Sequence, residues 1–102
     1  MIIKGRLSLS HNKCEYTIFY NGRNINISDI IYSMYIDKSK VAVEIVDMYS
    51  SKTLFSSEGE LYKERIQPCF YSYFVGEADL EQVLWDNVGK KLSIEIKNIT
   101  RG

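Results

Sequence analysis

The two halves of this chain are similar in sequence, and the internal repeat constrains the fold more than any other feature. At a constant offset of 54 residues, Gly5 corresponds to Gly59 and Phe19 to Tyr73. The apolar residues near position 30 and those near position 43 recur at slightly smaller offsets, so two short gaps align the halves. Because a solenoid needs several stacked units, two copies are expected to close on each other about a pseudo-twofold axis.

Each half has the pattern strand, strand, helix, strand. Residues 2–10 alternate between apolar and polar side chains, the period of a strand with one wet face, and residues 14–20 are rich in aromatic and β-branched residues. Asn26 or Ser28 can cap the helix that follows, and residues 41–46 form the last strand. One stripe of this helix is apolar: Ile27, Ile30, Ile31, Met34 and Tyr35.

The second half shows clearer helix boundaries. Asp79 and Gln82 have the spacing of a capping box, and Gly89 is a good C-terminal stop. Residues 92–96 alternate as a final strand. The predicted apolar stripe of the second helix contains Leu80, Val83, Leu84 and Val88.

These elements predict one domain of 102 residues, since a chain of this length buries roughly 60 to 65 % of its unfolded surface around a single core. We expect repeat 1 over residues 2–47, a connection over 48–56 and repeat 2 over 57–99. The predicted class is α+β, mostly β: two pseudo-symmetric ββαβ repeats that form a small barrel or sandwich, with one short helix per repeat.

The segment VGKKLSIEI, in which a helix passes through the turn Gly89, Lys90 and Lys91 into a strand, resembles the cradle-loop β-barrels of the double-psi type. That resemblance covers residues 2–99 and implies a six-stranded barrel of two interlocked halves. The family usually has Gly-Asp at this turn, whereas this chain has Gly89-Lys90 and, in the first half, Ser39-Lys40. The family includes adaptor domains, DNA-binding regulators and parts of enzymes, so the resemblance does not select a function.

Composition excludes several classes of function. The formal net charge is zero, which disfavours nucleic acid or an anionic membrane as a partner. The N-terminal apolar run ends at Lys4, too short for a signal peptide, and no run is long enough to span a membrane. We therefore expect a cytoplasmic protein in which Cys14 and Cys69 are thiols.

No group of residues has the spacing of a catalytic or metal site. His11 stands three residues before Cys14, but only Cys69 remains as a further soft ligand, whereas zinc needs three or four. Glu58 and Glu60 belong to a group of carboxylates with the alternation of a wet strand face. We predict no catalytic residue, no metal and no cofactor.

An aromatic segment over residues 70–74 suggests a binding surface. Phe70 and Phe74 share one face of a strand, and Tyr71 and Tyr73 share the other, so one set can fill the core while the other needs a cover. Burial within the chain is one outcome and a protein interface is another. Tyrosine and tryptophan are common at interfaces, and the candidate anchors are Tyr62, Tyr71, Tyr73 and Trp85.

The leading hypothesis is a small intracellular binding module without catalytic activity that associates with another protein or forms a homodimer. Its size and composition fit a phage or mobile-element accessory protein. A second hypothesis is a nucleic-acid-binding regulator, and a third is a ligand-binding oligomer with a site between chains. The regulator would use a basic rim formed by Lys38, Lys40, Lys90 and Lys91.

Overall fold

The protein, seen in a computed structural model, has two short helices and one antiparallel sheet over the residues that the structure describes. The structure describes residues 1–10, 15–67 and 70–100, without the side chains of residues 65–67 and 70–71. In chain order the elements are β1 (Ile2–Leu9), β2 (Tyr16–Tyr20), β3 (Arg23–Asn26), α1 (Ile27–Ile36), β4 (Lys40–Asp47), β5 (Thr53–Gln67), β6 (Phe70–Val75), β7 (Ala78–Asp79), α2 (Leu80–Asp86) and β8 (Lys91–Asn98).

The eight strands lie in the order β3-β2-β1-β8-β4-β5-β6-β7, and every ladder between them is antiparallel. β4 and β8 pair at the centre. β4 also pairs with β5 and β8 with β1, so the last strand of each half lies beside the first strand of the other. The predicted mostly-β class with two helices is confirmed.

Two details differ from the sequence-based expectation. The short strands β3 and β7 each pair with the preceding strand before the helix begins, which adds one strand to each half. β5 begins at Thr53, inside the segment expected to be a connection. Phe55 explains this difference, because it pairs with Ile45 and is only 7 % exposed, so the strand extends to bury its ring.

The helix caps agree with the sequence. Asn26 accepts a hydrogen bond from the backbone amide of Asp29 at 2.9 Å, and Asp79 accepts one from the amide of Gln82 at 3.1 Å. Each cap satisfies an amide that lacks a partner in the first turn. α2 ends at Asp86, so Val88 lies beyond the helix and is exposed, unlike its place in the predicted stripe.

Apolar side chains from both halves share one core. The strand period places alternate residues of β1, β4 and β8 on the same inner face. The helices contribute Ile27, Ile31, Leu80 and Leu84 to the same core, where α1 packs against β2 and β5 and α2 against β5 and β6. In the described part of the chain, neither helix is long and apolar enough to cross a membrane. The strand residues of the inner face include Ile3, Leu7, Val41, Val43, Ile45, Leu92, Ile94 and Ile96.

Gly5 and Gly59 lie close to the points where β1 and β5 change pairing partner. Gly5 has φ +157° and Gly59 has φ +147°, values that side chains rarely adopt. A Cβ atom on Gly5 would lie 2.7 Å from Cγ2 of Ile18 and 2.8 Å from the carbonyl oxygen of Phe19. One on Gly59 would lie 3.2 Å from Cα of Gly76. A side chain at Gly5 would therefore force the neighbouring strand to shift, whereas one at Gly59 would be tight against the backbone of Gly76.

We expect Gly5→Ala to lower the free energy of unfolding by about 2 to 4 kcal/mol, because backbone strain and overpacking add. Gly22→Ala is the matched control: Gly22 also has positive φ, +74°, but a Cβ added there would have no atom within 4 Å. Gly22→Ala should lower the free energy of unfolding by about 1 kcal/mol, from backbone strain alone. Urea unfolding of both variants measures the difference, and equal losses would refute the close approach at Gly5.

Candidate functional site

The predicted interface anchors lie on different faces of the sheet. Tyr62 and Phe74 pair across β5 and β6, and their rings stack with centroids 5.2 Å apart. Because successive side chains of a strand alternate, Tyr73 lies on the opposite face from this stacked pair. Tyr71 belongs to β6, but its side chain lies outside the described residues.

Tyr73 is partly buried and contacts α1. Its ring meets the ring of Tyr35 edge-to-face, with centroids 5.6 Å apart and planes inclined at 70°. The ammonium of Lys63, which pairs with Tyr73 across the ladder, lies 5.8 Å from the centre of the Tyr73 ring. This distance is within the range of a cation–π interaction. The ring thus has an aromatic neighbour and a cationic one.

Glu81 brings a carboxyl group from α2 to the same place. Burial, followed by repulsion from Asp79, raises the pKa of Glu81 from its ordinary value of 4.5 to about 7. Burial also raises the pKa of the Tyr73 hydroxyl, and the Glu81 carboxylate raises it further. The phenols of Tyr32 and Tyr35 act on Tyr73 in the same direction. The four groups are therefore close enough to interact electrostatically.

The polar atoms of this cluster have no hydrogen-bond or ion-pair partner within the described chain. No such bond there involves the Glu81 carboxylate or the hydroxyls of Tyr32, Tyr35 and Tyr73. All fully buried side-chain polar atoms of the described residues do have partners. The four groups therefore reach solvent, where a binding partner could meet them.

Exposed apolar side chains extend this cluster along both helices. Trp85 is 61 % exposed and lies one turn beyond Glu81 on α2. Ile36 is 56 % exposed and lies one turn beyond Tyr32 on α1. We call the combined area the helix-side surface; its residues are Tyr32, Tyr35, Ile36, Tyr73, Glu81 and Trp85.

A cavity of about 410 Å³ borders the helix-side surface. It lies between the C-terminal end of α1 and β5, and Tyr35 and Ile36 form part of its wall. Glu60 and Lys38 supply charge of both signs, and Leu61 and Ser39 complete the lining. The cavity gives the otherwise convex helix-side surface a concave edge.

The four predicted basic residues do not form one rim. The ladder between β4 and β8 runs from the pair Val41–Asn98 to the pair Asp47–Leu92. Lys40 lies one residue beyond one end of that ladder and Lys91 one residue beyond the other, so they are separated by roughly 27 Å at about 3.4 Å per residue. Lys38 and Lys90 occupy the turns next to them. The structure therefore brings these lysines together only as two separate pairs.

The structure describes only part of the residues that bear on metal binding. In residues 1–10, 15–67 and 70–100, no group of three or more His, Cys, Asp or Glu side chains could hold a metal ion. His11, Cys14 and Cys69, the candidates from sequence, lie outside the described residues. The expectation of no metal therefore stays a prediction.

Sequence reasoning missed Tyr32, Ile36 and Glu81. The signal was present, because Ile36 follows Tyr32 and Trp85 follows Glu81 at helical i, i+4 spacing outside the buried stripes. Nothing local, however, showed that Tyr73 contacts Tyr35 of one helix and interacts electrostatically with Glu81 of the other. Tyr35 was assigned to the apolar stripe, and it is half-buried there.

Comparison of the chain with protein-family models, with characterised proteins and with solved structures finds no match. The chemistry of the surface must therefore be argued from its own residues.

The raised pKa of Glu81 makes stability depend on pH. Between pH values of about 4.5 and 7, Glu81 keeps its proton in the folded state and has lost it in the unfolded state. The free energy of unfolding therefore falls as the pH rises through this window. Glu81→Gln removes the effect and should gain stability over the wild type as the pH rises. We expect a gain of about 1 to 2 kcal/mol, because solvent screening reduces the effect of a partly exposed carboxylate.

Urea unfolding at about pH 5 and about pH 8 measures this gain as a difference between variant and wild type. Glu77→Gln, in the exposed turn between β6 and β7, serves as the control and should show no change of this size. An equal gain for Glu81→Gln at both pH values would contradict the burial of a titrating carboxyl.

Proposed function

We propose that the protein is a small binding module without catalytic activity that associates with another protein through the helix-side surface. The observation that carries this proposal is the cluster of three tyrosine hydroxyls and a carboxylate without hydrogen-bond partners in the described chain, beside exposed Trp85 and Ile36. Tyrosine and tryptophan are enriched at interfaces because the ring adds apolar area while its polar group bonds to the partner.

The chemistry of the cluster favours a partner with a basic side chain. Glu81 and Asp79 supply negative charge, and the rings of Tyr35 and Tyr73 supply π faces. The ammonium of Lys63 already lies near the Tyr73 ring, so the Tyr35 ring and the Glu81 carboxylate are the groups we assign to the partner's cation. A lysine or arginine of the partner would also offset the cost of ionising a partly buried Glu81.

We also propose that the chain arose by duplication of a half-length unit. The strand order supports this. When β1 to β4 are exchanged with β5 to β8, the same order results, read from the opposite edge of the sheet. Gly5 pairs with Leu92 of β8 and Gly59 with Val41 of β4, and these two partners are equivalent in the alignment of the halves. Under such symmetry the axis passes through the middle of the ladder between β4 and β8.

Equivalent hydrogen bonds also support duplication. The amide of Met48 donates to the carbonyl of Lys91 at 3.0 Å, and the amide of Ile99 donates to the carbonyl of Lys40 at 2.8 Å. The caps Asn26 and Asp79 likewise accept from amides three residues ahead. Shared ancestry is the simplest reason for bonds that recur at equivalent positions of the two halves.

The strand pairing changes one part of the sequence alignment. Leu7 pairs with Ile18 and Leu61 with Val75, so Ile18 of β2 corresponds to Val75 of β6. Phe19 therefore does not correspond to Tyr73. The offset shifts because the hairpin that joins β5 to β6 has longer strands than the one that joins β1 to β2. The next hairpin, from Val75 to the cap Asp79, is shorter than its counterpart from Ile18 to Asn26.

Barrel closure and the resemblance to cradle-loop barrels stay predictions from sequence. The positive φ values of Gly5 and Gly59 favour a strongly curved sheet. β3 and β7 stand at the two ends of the strand order, and none of the ladders between described residues joins them. A small curved sheet closed by its helices is therefore the form we propose.

The other hypotheses are weaker. A nucleic-acid-binding regulator with one basic rim loses support because Lys38 and Lys40 lie far from Lys90 and Lys91. A ligand site between chains, a homodimer, a cytoplasmic location and a phage or mobile-element origin stay predictions from sequence.

We expect the double variant Tyr32→Ser and Trp85→Ser to lose its protein partner. Wild-type protein, the double variant and Tyr62→Ser would serve as baits in a lysate of the cells that make the protein, with quantitative mass spectrometry of the captured proteins. Tyr62→Ser is the matched control, because Tyr62 is an exposed aromatic residue on the other face of the sheet. A protein captured by wild type and control only would then be purified.

That purified partner should bind wild type and Tyr62→Ser equally and the double variant at least about tenfold more weakly. Glu81→Gln should also weaken binding at about pH 8, where the wild-type carboxylate is charged. Identical capture by all three baits would refute the proposal. Self-association that the double variant abolishes, seen as a doubled mass in light scattering, would also refute it by making a second copy the occupant.

A further inference from the structure

A second cavity, of about 590 Å³, lies away from the helix-side surface. It is bounded by β1, the loop between β4 and β5, and the turn between α2 and β8. Its lining is Arg6, Asp47, Met48, Tyr49, Lys90 and Lys91. Three of these side chains are cationic, in a chain whose net charge is zero.

Backbone hydrogen bonds hold the walls of this cavity in place. The amide of Gly89 donates to the carbonyl of Leu7 at 2.7 Å, and the amide of Leu7 donates to the carbonyl of Lys90 at 3.0 Å. The amide of Met48 donates to the carbonyl of Lys91 at 3.0 Å. The three segments are therefore joined before any ligand arrives, which lowers the entropic cost of binding.

The cations are positioned without being neutralised. Arg6 Nη1 donates to the carbonyl of Gly89 at 2.6 Å, and Lys90 Nζ donates to Oδ1 of Asn87 at 3.0 Å. Both acceptors are uncharged. Among the described residues, Lys91 makes no side-chain hydrogen bond or ion pair. These three side chains retain donors for an anion.

Among the described lining residues Asp47 is the one carboxylate, and it already accepts hydrogen bonds from its own turn. Oδ1 of Asp47 accepts hydrogen bonds from the backbone amides of Tyr49 at 2.8 Å and Ser50 at 3.3 Å. This turn presents Tyr49, which is 98 % exposed, and Met48, which is 45 % exposed. The cavity thus combines an excess of positive charge with an aromatic ring that nothing in the described chain covers.

The opposite end of the ladder between β4 and β8 shows that this charge is not a general consequence of the fold. The cavity there contains Lys38, but it also contains Glu60, which occupies the position in the second half that Arg6 occupies in the first. Basic residues dominate only one of the two ends. A local ligand explains that difference better than the ordinary preference of cations for helix C-termini.

We propose that this cavity binds a nucleoside mono- or diphosphate, with the phosphate at Arg6, Lys90 and Lys91 and the base on Tyr49. A phosphate carries roughly two negative charges near neutral pH, which matches three cations against one carboxylate. Tyrosine rings stack on nucleobases of any sequence. A cavity of about 590 Å³ is within the usual size for such a ligand.

The test is a titration of the full chain with ADP, with pyrophosphate and with adenosine at low ionic strength. Binding is measured by calorimetry and by shifts in the amide NMR signals of residues 47–52 and 87–91. ADP should bind more tightly than either fragment. Lys91→Gln should weaken ADP binding by about tenfold. Tyr49→Ser should weaken ADP binding by a similar factor and leave pyrophosphate binding unchanged.

Lys40→Gln is the matched control, because Lys40 begins β4 as Lys91 begins β8 and lies at the far end of their ladder. It should bind ADP as wild type does. Far-ultraviolet circular dichroism verifies that each variant is folded. Tyr32→Ser with Trp85→Ser should also leave ADP binding unchanged, which separates this site from the proposed protein interface.

Three results would overturn the proposal. The first is no saturable ADP binding up to about 10 mM, weaker than any specific site would show. The second is an equal loss for Lys40→Gln and Lys91→Gln, which would indicate unspecific charge attraction. The third is binding of a single-stranded oligonucleotide without binding of ADP, which would make a nucleic-acid backbone the ligand.

Discussion

The antiparallel ladder between β4 and β8 joins the two halves of the chain, and the other elements depend on it. Its inner face is apolar, with Val43, Ile45 and Ile94 buried. On its outer face Glu44 pairs directly with Glu95, a like-charged arrangement that opposes pairing and that Lys97, 3.3 Å from Glu95, partly offsets. Apolar burial therefore stabilises the ladder. Because β4 and β8 also pair with the first strands of opposite halves, neither half can bury its own helix alone.

The same ladder explains why a neutral chain can carry two different kinds of surface. It is long enough to separate the turn at Lys38 from the turn at Lys90, so charge accumulates locally even though the total is zero. The two helices cover the inner face of the sheet and leave their other sides, with Tyr32 and Trp85, in solvent. Net charge, which disfavoured anionic partners at the level of sequence, averages over these separate regions and hides them.

Glu81 illustrates how such a surface differs from the rest of the molecule. The helix cap next to it is satisfied, and the buried polar atoms of the described chain all have partners. Glu81 instead sits partly buried beside Asp79, with a pKa raised to about 7. A neutral glutamine would suit the folded state better above that pH. The proposed protein interface would account for a residue that lowers stability where a neutral alternative exists.

The sequence by itself determined the elements that depend on neighbouring residues. The alternation in β1, the caps Asn26 and Asp79 and the buried helix stripes all follow from side chains within one or two turns of each other. Only the tertiary structure decided that Tyr73 contacts Tyr35 and lies near enough to Glu81 to interact electrostatically, or that Arg6 reaches the carbonyl of Gly89. These interactions depend on strand register, which relates residues far apart in the chain. Local patterns carry no information on such distances.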